Sequence, residues 1–165
     1  MIIRAIRISD TEKFLNLCKK LDTESNFMML EPEERTTTFD KQYEYIKNII
    51  EDDLSIILIC EIEGNIVGYL SAIRESFNRV RHSAYIVTGI LKEFTGRGIG
   101  TKFFHELEQW SHANNIHRLE LTVMCHNEAG LALYKKMGFE IEGTKKHSLI
   151  VENQYIDEYY MAKLI

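Results

Sequence analysis

Three glycines at alternate positions, Gly96, Gly98 and Gly100, follow a segment that reads as a strand and precede one that reads as a helix. The full stretch is Ile90, Leu91, Lys92, Glu93, Phe94, Thr95, Gly96, Arg97, Gly98, Ile99, Gly100 and Thr101. At a helix N-terminus the first amide N–H groups lack internal partners and the helix dipole is positive, so an anion such as a pyrophosphate is drawn there. Side chains larger than hydrogen would hold the phosphates off, which gives glycine a use beyond turn geometry. Two common phosphate loops do not fit the letters. A Walker A loop needs GxxxxGK and then Ser or Thr, whereas Gly100 is followed by Thr101 and Lys102. A dinucleotide GxGxxG beginning at Gly96 and Gly98 would need glycine where Thr101 stands, although Glu120 lies about where a ribose-binding acid would be sought. A plain tight turn is the alternative that involves no ligand.

Other reactive side chains are less suggestive. Cys18, Cys60 and Cys125 are far apart, without a CxxC pair or histidines at zinc-ligand spacing, so buried and inert thiols are expected. A nucleophilic Cys125 beside His126 is disfavoured because neighbours on a strand point to opposite faces. His105 and His112 share a helix face but have no third ligand, and no metal site is expected.

The elements that would position the glycine segment follow from periodicity. Residues 1–8 read as a strand. Ser9 and Asp10 then supply N-cap chemistry for a helix carrying Phe14, Leu17, Cys18 and Leu21 on one stripe and ending near Asp22. Residues 23–39 are irregular and hold the only proline, Pro32. A second helix begins near Asp40 and presents Tyr43, Ile46, Ile49 and Ile50. Strands over 55–62 and 66–74 form a hairpin through Glu63, Gly64 and Asn65. A strand over 81–91 meets the glycines, and the helix that follows carries Phe103, Leu107 and Trp110 on its apolar stripe. Residues 119–124 form the next strand, and Asn127 opens a helix that runs to Lys136 and is terminated by Gly138. Strands over 139–144, 146–151 and 155–164 close the sheet, with the last turn at Glu152 and Asn153. One mixed α/β domain over residues 1–165 is implied, with no repeat or linker.

Composition narrows the partners. Hydrophobic residues make up 45% and charged residues 27%, an ordinary globular balance. The longest apolar run, Ile56 to Cys60, is too short to cross a bilayer, and no signal-peptide core is visible, so a cytoplasmic protein with no membrane partner is expected. A formal charge of -5 disfavours nucleic acid and suits a cationic partner.

With the strand and helix order in hand, the glycine segment resembles the coenzyme loop of the GNAT N-acetyltransferase family, Q/R-x-x-G-x-G/A. Gly98 and Gly100 match its small positions. Thr95 departs from the usual Gln or Arg, and Arg97 is placed to supply the missing positive charge. A second, independent match follows: residues 127–139 resemble N-x-x-A-x-x-L-Y-x-x-x-G-F through Asn127, Leu133, Tyr134, Gly138 and Phe139, with Gly130 in place of Ala. The closing strands, with Glu142, Gly143 and Thr144, then Asp157 to Met161, look like those of bacterial ribosomal-protein and polyamine acetyltransferases.

The resemblance implies a single-domain GNAT fold, a mixed and mostly antiparallel sheet of six to seven strands with about four helices, splayed between strands four and five. It implies acetyl-coenzyme A as co-substrate and direct attack of an acceptor amine on the thioester. Thr95, Gly96, Arg97, Gly98, Ile99, Gly100 and Thr101 would then hold the diphosphate. Backbone near Ile90 and Leu91 would pair with the pantetheine arm, an amide there polarising the thioester oxygen. Asn127 would hold the arm from the other side, its bland alternative being a helix N-cap. Tyr134 would protonate the departing thiolate, its bland alternative being core packing. An ammonium with pKa about 10.4 costs roughly 4 to 5 kcal/mol to deprotonate at neutral pH, so a base or water relay is expected. Glu24, Glu31, His82 and Tyr85 are candidates, and none is singled out. The acceptor stays open among small-molecule amines, polyamines and protein amines, and a homodimer is the default assembly. A catalytically silent coenzyme-binding module is the alternative function.

Overall fold

The computed structural model describes residues 1–52 and 54–165. The chain order is β1 (Ile2–Ala5), α1 (Thr11–Glu24), α2 (Phe39–Asp52), β2 (Ile56–Ile62), β3 (Asn65–Arg74), β4 (Ser83–Ile90), α3 (Ile99–Ala113), β5 (Arg118–Met124), α4 (Glu128–Lys136), β6 (Glu140–Val151) and β7 (Gln154–Leu164). The seven strands form one sheet in the order β1-β2-β3-β4-β5-β7-β6. Among the described residues only β4 and β5 pair in parallel; the other neighbours are antiparallel. This is the mixed α/β architecture expected, with four α-helices among the described residues.

β3 is buried at every position from Ile66 to Ala72, so both faces of the central sheet are covered. Tyr69 of β3 meets Phe14 of α1 edge-on at 5.3 Å on one face. On α3, Phe103 and Leu107 are wholly buried, while Trp110 packs against the core only partly buried. The amphipathic stripes on these helices therefore close the two layers over the strands.

Several local expectations hold for the reasons given. Glu152 and Asn153 have φ of 50° and 61°, the paired left-handed geometry of a tight hairpin, and Gly138 ends α4 at φ 87°. Asp10 does otherwise than expected. Its carboxylate does not cap α1; it accepts from the Arg7 N–H at 2.8 Å and takes both Arg4 Nη1 and Nη2, while Arg4 also binds Glu61 of β2. Arg4 of β1, six residues back in the chain, claims the carboxylate in place of the helix end. The first helix runs on to Glu24, and the second begins at Phe39. Residues 140–151 are one strand and not two, because register shifts between Ile141 and Gly143 and between Lys145 and Leu149 absorb the irregular pattern. Cys18 and Cys60 are buried, but Cys125 is only half-buried.

Candidate active site

The parallel pair β4 and β5 is joined for three residues only, Ser83 with Arg118, Ala84 with Leu119 and Tyr85 with Glu120. Beyond Tyr85 the strands diverge into a fork. Leu91 gives its N–H to the Val67 carbonyl at 2.9 Å, on the β3 side. Strand alternation then turns the N–H and C=O of Ile90 and Thr88 the other way, into the fork. Leu91 itself is spent: its carbonyl accepts from Phe94 at 2.8 Å, and its side chain is buried.

At the open end of the fork the chain makes a short 3-10 turn, Lys92–Phe94, and then the glycine loop. Gly96 and Gly98 have φ of 72° and 77°, and Gly98 is the N-cap of α3. Lys102 is the first residue whose N–H finds a helical acceptor, the Gly98 carbonyl at 3.1 Å. The N–H groups of Gly96, Arg97, Gly98, Ile99, Gly100 and Thr101 have no acceptor among the described residues. Six bare amides on one turn form the positive concavity an anion requires. Thr95 turns its hydroxyl back to the Lys92 carbonyl at 2.8 Å. Arg97 also folds back, onto the Glu93 carbonyl at 2.9 Å and over the Phe94 ring at 4.8 Å. Lys136 supplies a cation from α4, with Nζ 3.2 Å from Thr101 Oγ1.

The glycines are needed for reasons that differ along the loop. A Cβ at Gly96 or Gly98 would meet nothing within 4 Å, so their backbone conformation makes the demand. A Cβ at Gly100 would stand 2.6 Å from Leu133 Cδ2, so there the constraint is close packing of α3 on α4.

Asn127 caps α4: its Oδ1 accepts from the Gly130 N–H at 2.9 Å. Gly130 is suited to this, since a Cβ there would lie 2.8 Å from Asn127 Nδ2. Tyr134 of α4 is 9% exposed, its ring edge-on to Phe104 at 5.9 Å and tilted against Phe139 at 6.1 Å. Its hydroxyl has no hydrogen-bond partner among the described residues, yet it is not a sealed, orphaned atom. Burial, and then Tyr85 nearby, push the phenol up to about 12.

The four base candidates separate. Glu24 accepts the Lys92 N–H at 2.6 Å, and Glu31 is exposed within the α1–α2 loop. His82 sits at the closed end of the fork, its carbonyl taking the N–H groups of His117 and Arg118. Tyr85 spans the fork, its hydroxyl 2.8 Å from Thr122 Oγ1 on β5. Two features were not singled out from sequence. Thr122 could have been found by its period-two position on β5, and Asp22, ion-paired with Arg35 at 2.5 Å, as a charge beside the buried Leu21.

A family model described as the acetyltransferase (GNAT) family matches residues 18–139, which includes the fork, the loop and α4. The chain belongs to the GNAT acetyltransferase family. The L-amino acid N-acetyltransferase AaaT of Escherichia coli (strain K12) is 33% identical over 108 residues, 65% of this chain and 67% of that protein. A GNAT-family acetyltransferase from Streptococcus pneumoniae superimposes with a TM-score of 0.95 at 29% identity, over 99% of this chain and 98% of that one. A phosphinothricin acetyltransferase of the GNAT superfamily from Sinorhizobium meliloti, solved in complex with AcCoA, shares the fold with a TM-score of 0.87. It is 16% identical, over 99% of this chain and 88% of that one. This GNAT chain is thus an acetyltransferase with acetyl-coenzyme A as co-substrate.

Proposed function

We propose that this chain, as one domain over residues 1–165, transfers the acetyl group of acetyl-coenzyme A to a primary amine by direct attack, with Tyr134 as general acid. The amine nitrogen bonds to the thioester carbonyl carbon, the C–S bond breaks, and the phenol proton passes to the leaving sulfur. The proton lost by the amine leaves to water and in turn restores the phenol. Gly96, Arg97, Gly98, Ile99, Gly100 and Thr101 hold the diphosphate through their amides, and Ile90 and Thr88 offer backbone groups to the pantetheine arm. Thr95 acts by holding the preceding turn. Asn127 fixes the start of α4 and so the placement of Tyr134.

One observation carries the reading: the Tyr134 phenol has no protein partner among the described residues and lies near Tyr85, whose hydroxyl bridges the fork to Thr122. The acetylation of L-amino acids named for the E. coli relative supports an amine as acceptor. The test is incubation with acetyl-coenzyme A and a panel of amines, reading both free thiol and the mass of one added acetyl group. Thiol release without any acetylated amine would overturn the proposal.

A further inference from the structure

A cavity of about 240 Å3 lies over the open end of the fork, on the face carrying α1 and α2. Its walls come from three separate segments: Met28 and Leu30 of the α1–α2 loop, Met124 at the end of β5, and Leu149 and Val151 of β6. Met28 reaches β4, its Sδ standing 3.4 Å from where a Cβ on Gly89 would be. The floor of the cavity therefore touches both arms of the fork, β4 through Met28 and β5 through Met124. Glu31 and Glu152 stand among the lining residues, and neither has an ion-pair partner among the described residues. The third carboxylate, Asp22, is tied to Arg35.

We infer that this cavity receives the side group of the acceptor, and that the preferred acceptors are primary amines bearing an apolar group of leucyl, methionyl or benzyl size. The inference rests on the amine-transfer reading above and names its substrate class. The thioether and aliphatic walls reward an apolar group by removing it from water, and methionine adapts to its shape. The unpaired carboxylates attract the ammonium form of the amine while repelling free anions. A polycation could pair with these carboxylates but would leave the thioether and aliphatic walls without an apolar group to cover them. An apolar amine can arrive as a free amino acid, as its decarboxylated amine or as the N-terminus of a peptide. The cavity chemistry is shared by all three.

The test measures kcat/KM for 2-phenylethylamine, phenylalanine, a phenylalanyl dipeptide, ethylamine and spermidine with the intact protein. At least one phenyl-bearing acceptor should exceed both ethylamine and spermidine by about 10- to 100-fold, and which one leads identifies the source. Leu149→Gln, on the rim strand and outside the proposed catalytic groups, should reduce that advantage about tenfold and leave the rate with ethylamine and the KM for acetyl-coenzyme A unchanged. Equal or better use of spermidine or ethylamine defeats the inference alone. A Leu149→Gln effect on the KM for acetyl-coenzyme A that is equal across all amines assigns the cavity to the coenzyme and also defeats it. Acetylation of no amine at all, with acetyl-coenzyme A still bound, defeats the amine-transfer reading and this inference with it.

Discussion

Replacing Tyr134 by phenylalanine removes one oxygen and nothing else that the fold uses. The ring contacts with Phe104 and Phe139 persist, and the hydroxyl has no protein hydrogen bond to lose. Stability should therefore stay within about 0.5 kcal/mol of the native protein. The chemical effect can be bounded from the burial of the phenol. With its pKa pushed up to about 12, it hands a proton to a free thiolate of pKa about 8.5 only at a cost of about 5 kcal/mol. Transfer must therefore accompany C–S cleavage, when charge is developing on sulfur. A positioned acid contributes about 10²- to 10⁴-fold, and a poor acid serving a good leaving group belongs at the low end. Tyr134→Phe should lower kcat about 100-fold, or about 2.7 kcal/mol of transition-state stabilisation, with the Kd for coenzyme unchanged. The raised pKa also sets the sign of the pH dependence. The phenol keeps its proton up to pH values well above its ordinary 10, so the ratio of native to variant rates should be flat between about pH 6 and 9. Stopped thiol-release assays across that range, paired with calorimetric coenzyme binding, read both quantities. A fully active variant, or a rate ratio that collapses with an apparent pKa below 9, would refute the assignment.

Gly100→Ala should destabilise by about 1 to 3 kcal/mol through the clash with Leu133, and thermal melts should show partial recovery when Leu133→Ala is added. Gly98→Ala meets no neighbour but keeps a left-handed backbone, so about 1 to 2 kcal/mol of strain should appear, together with weaker coenzyme binding by titration. Hydrogen bonding to Arg4 holds the Asp10 carboxyl below its ordinary range. Its stabilising contribution is thus present above about pH 3.9 and is lost as pH falls through the folded pKa. Asp10→Ala should cost about 2 to 3 kcal/mol at pH 7, with urea midpoints of the two proteins converging as the pH falls through the folded pKa of Asp10.

The parts of the site that are local in sequence were legible. Gly96 and Gly98 before α3, Gly138 after α4, and Glu152 with Asn153 at the last turn each answer to a backbone demand made within a few residues. The same holds for Asn127, whose acceptor and donor are three residues apart. The rest depends on segments meeting in space. Asp10 looks like a cap until Arg4 and Glu61 are brought beside it. Arg97 looks like a free cation until Phe94 and the Glu93 carbonyl claim it. Gly100 carries no sign in the letters that Leu133 is its constraint, and the cavity needs Met28, Met124 and Leu149 from three distant stretches. Bulges in β6 are set by its pairing with β7, so its pattern read as two strands.

Amide NMR during titration with coenzyme A tests the central claim most directly. The N–H resonances of Gly96, Arg97, Gly98, Ile99, Gly100 and Thr101 should move together and downfield as they acquire acceptors, followed by those of Thr88 and Ile90 along the fork. Saturable binding that leaves the glycine loop unmoved and shifts residues elsewhere would contradict it.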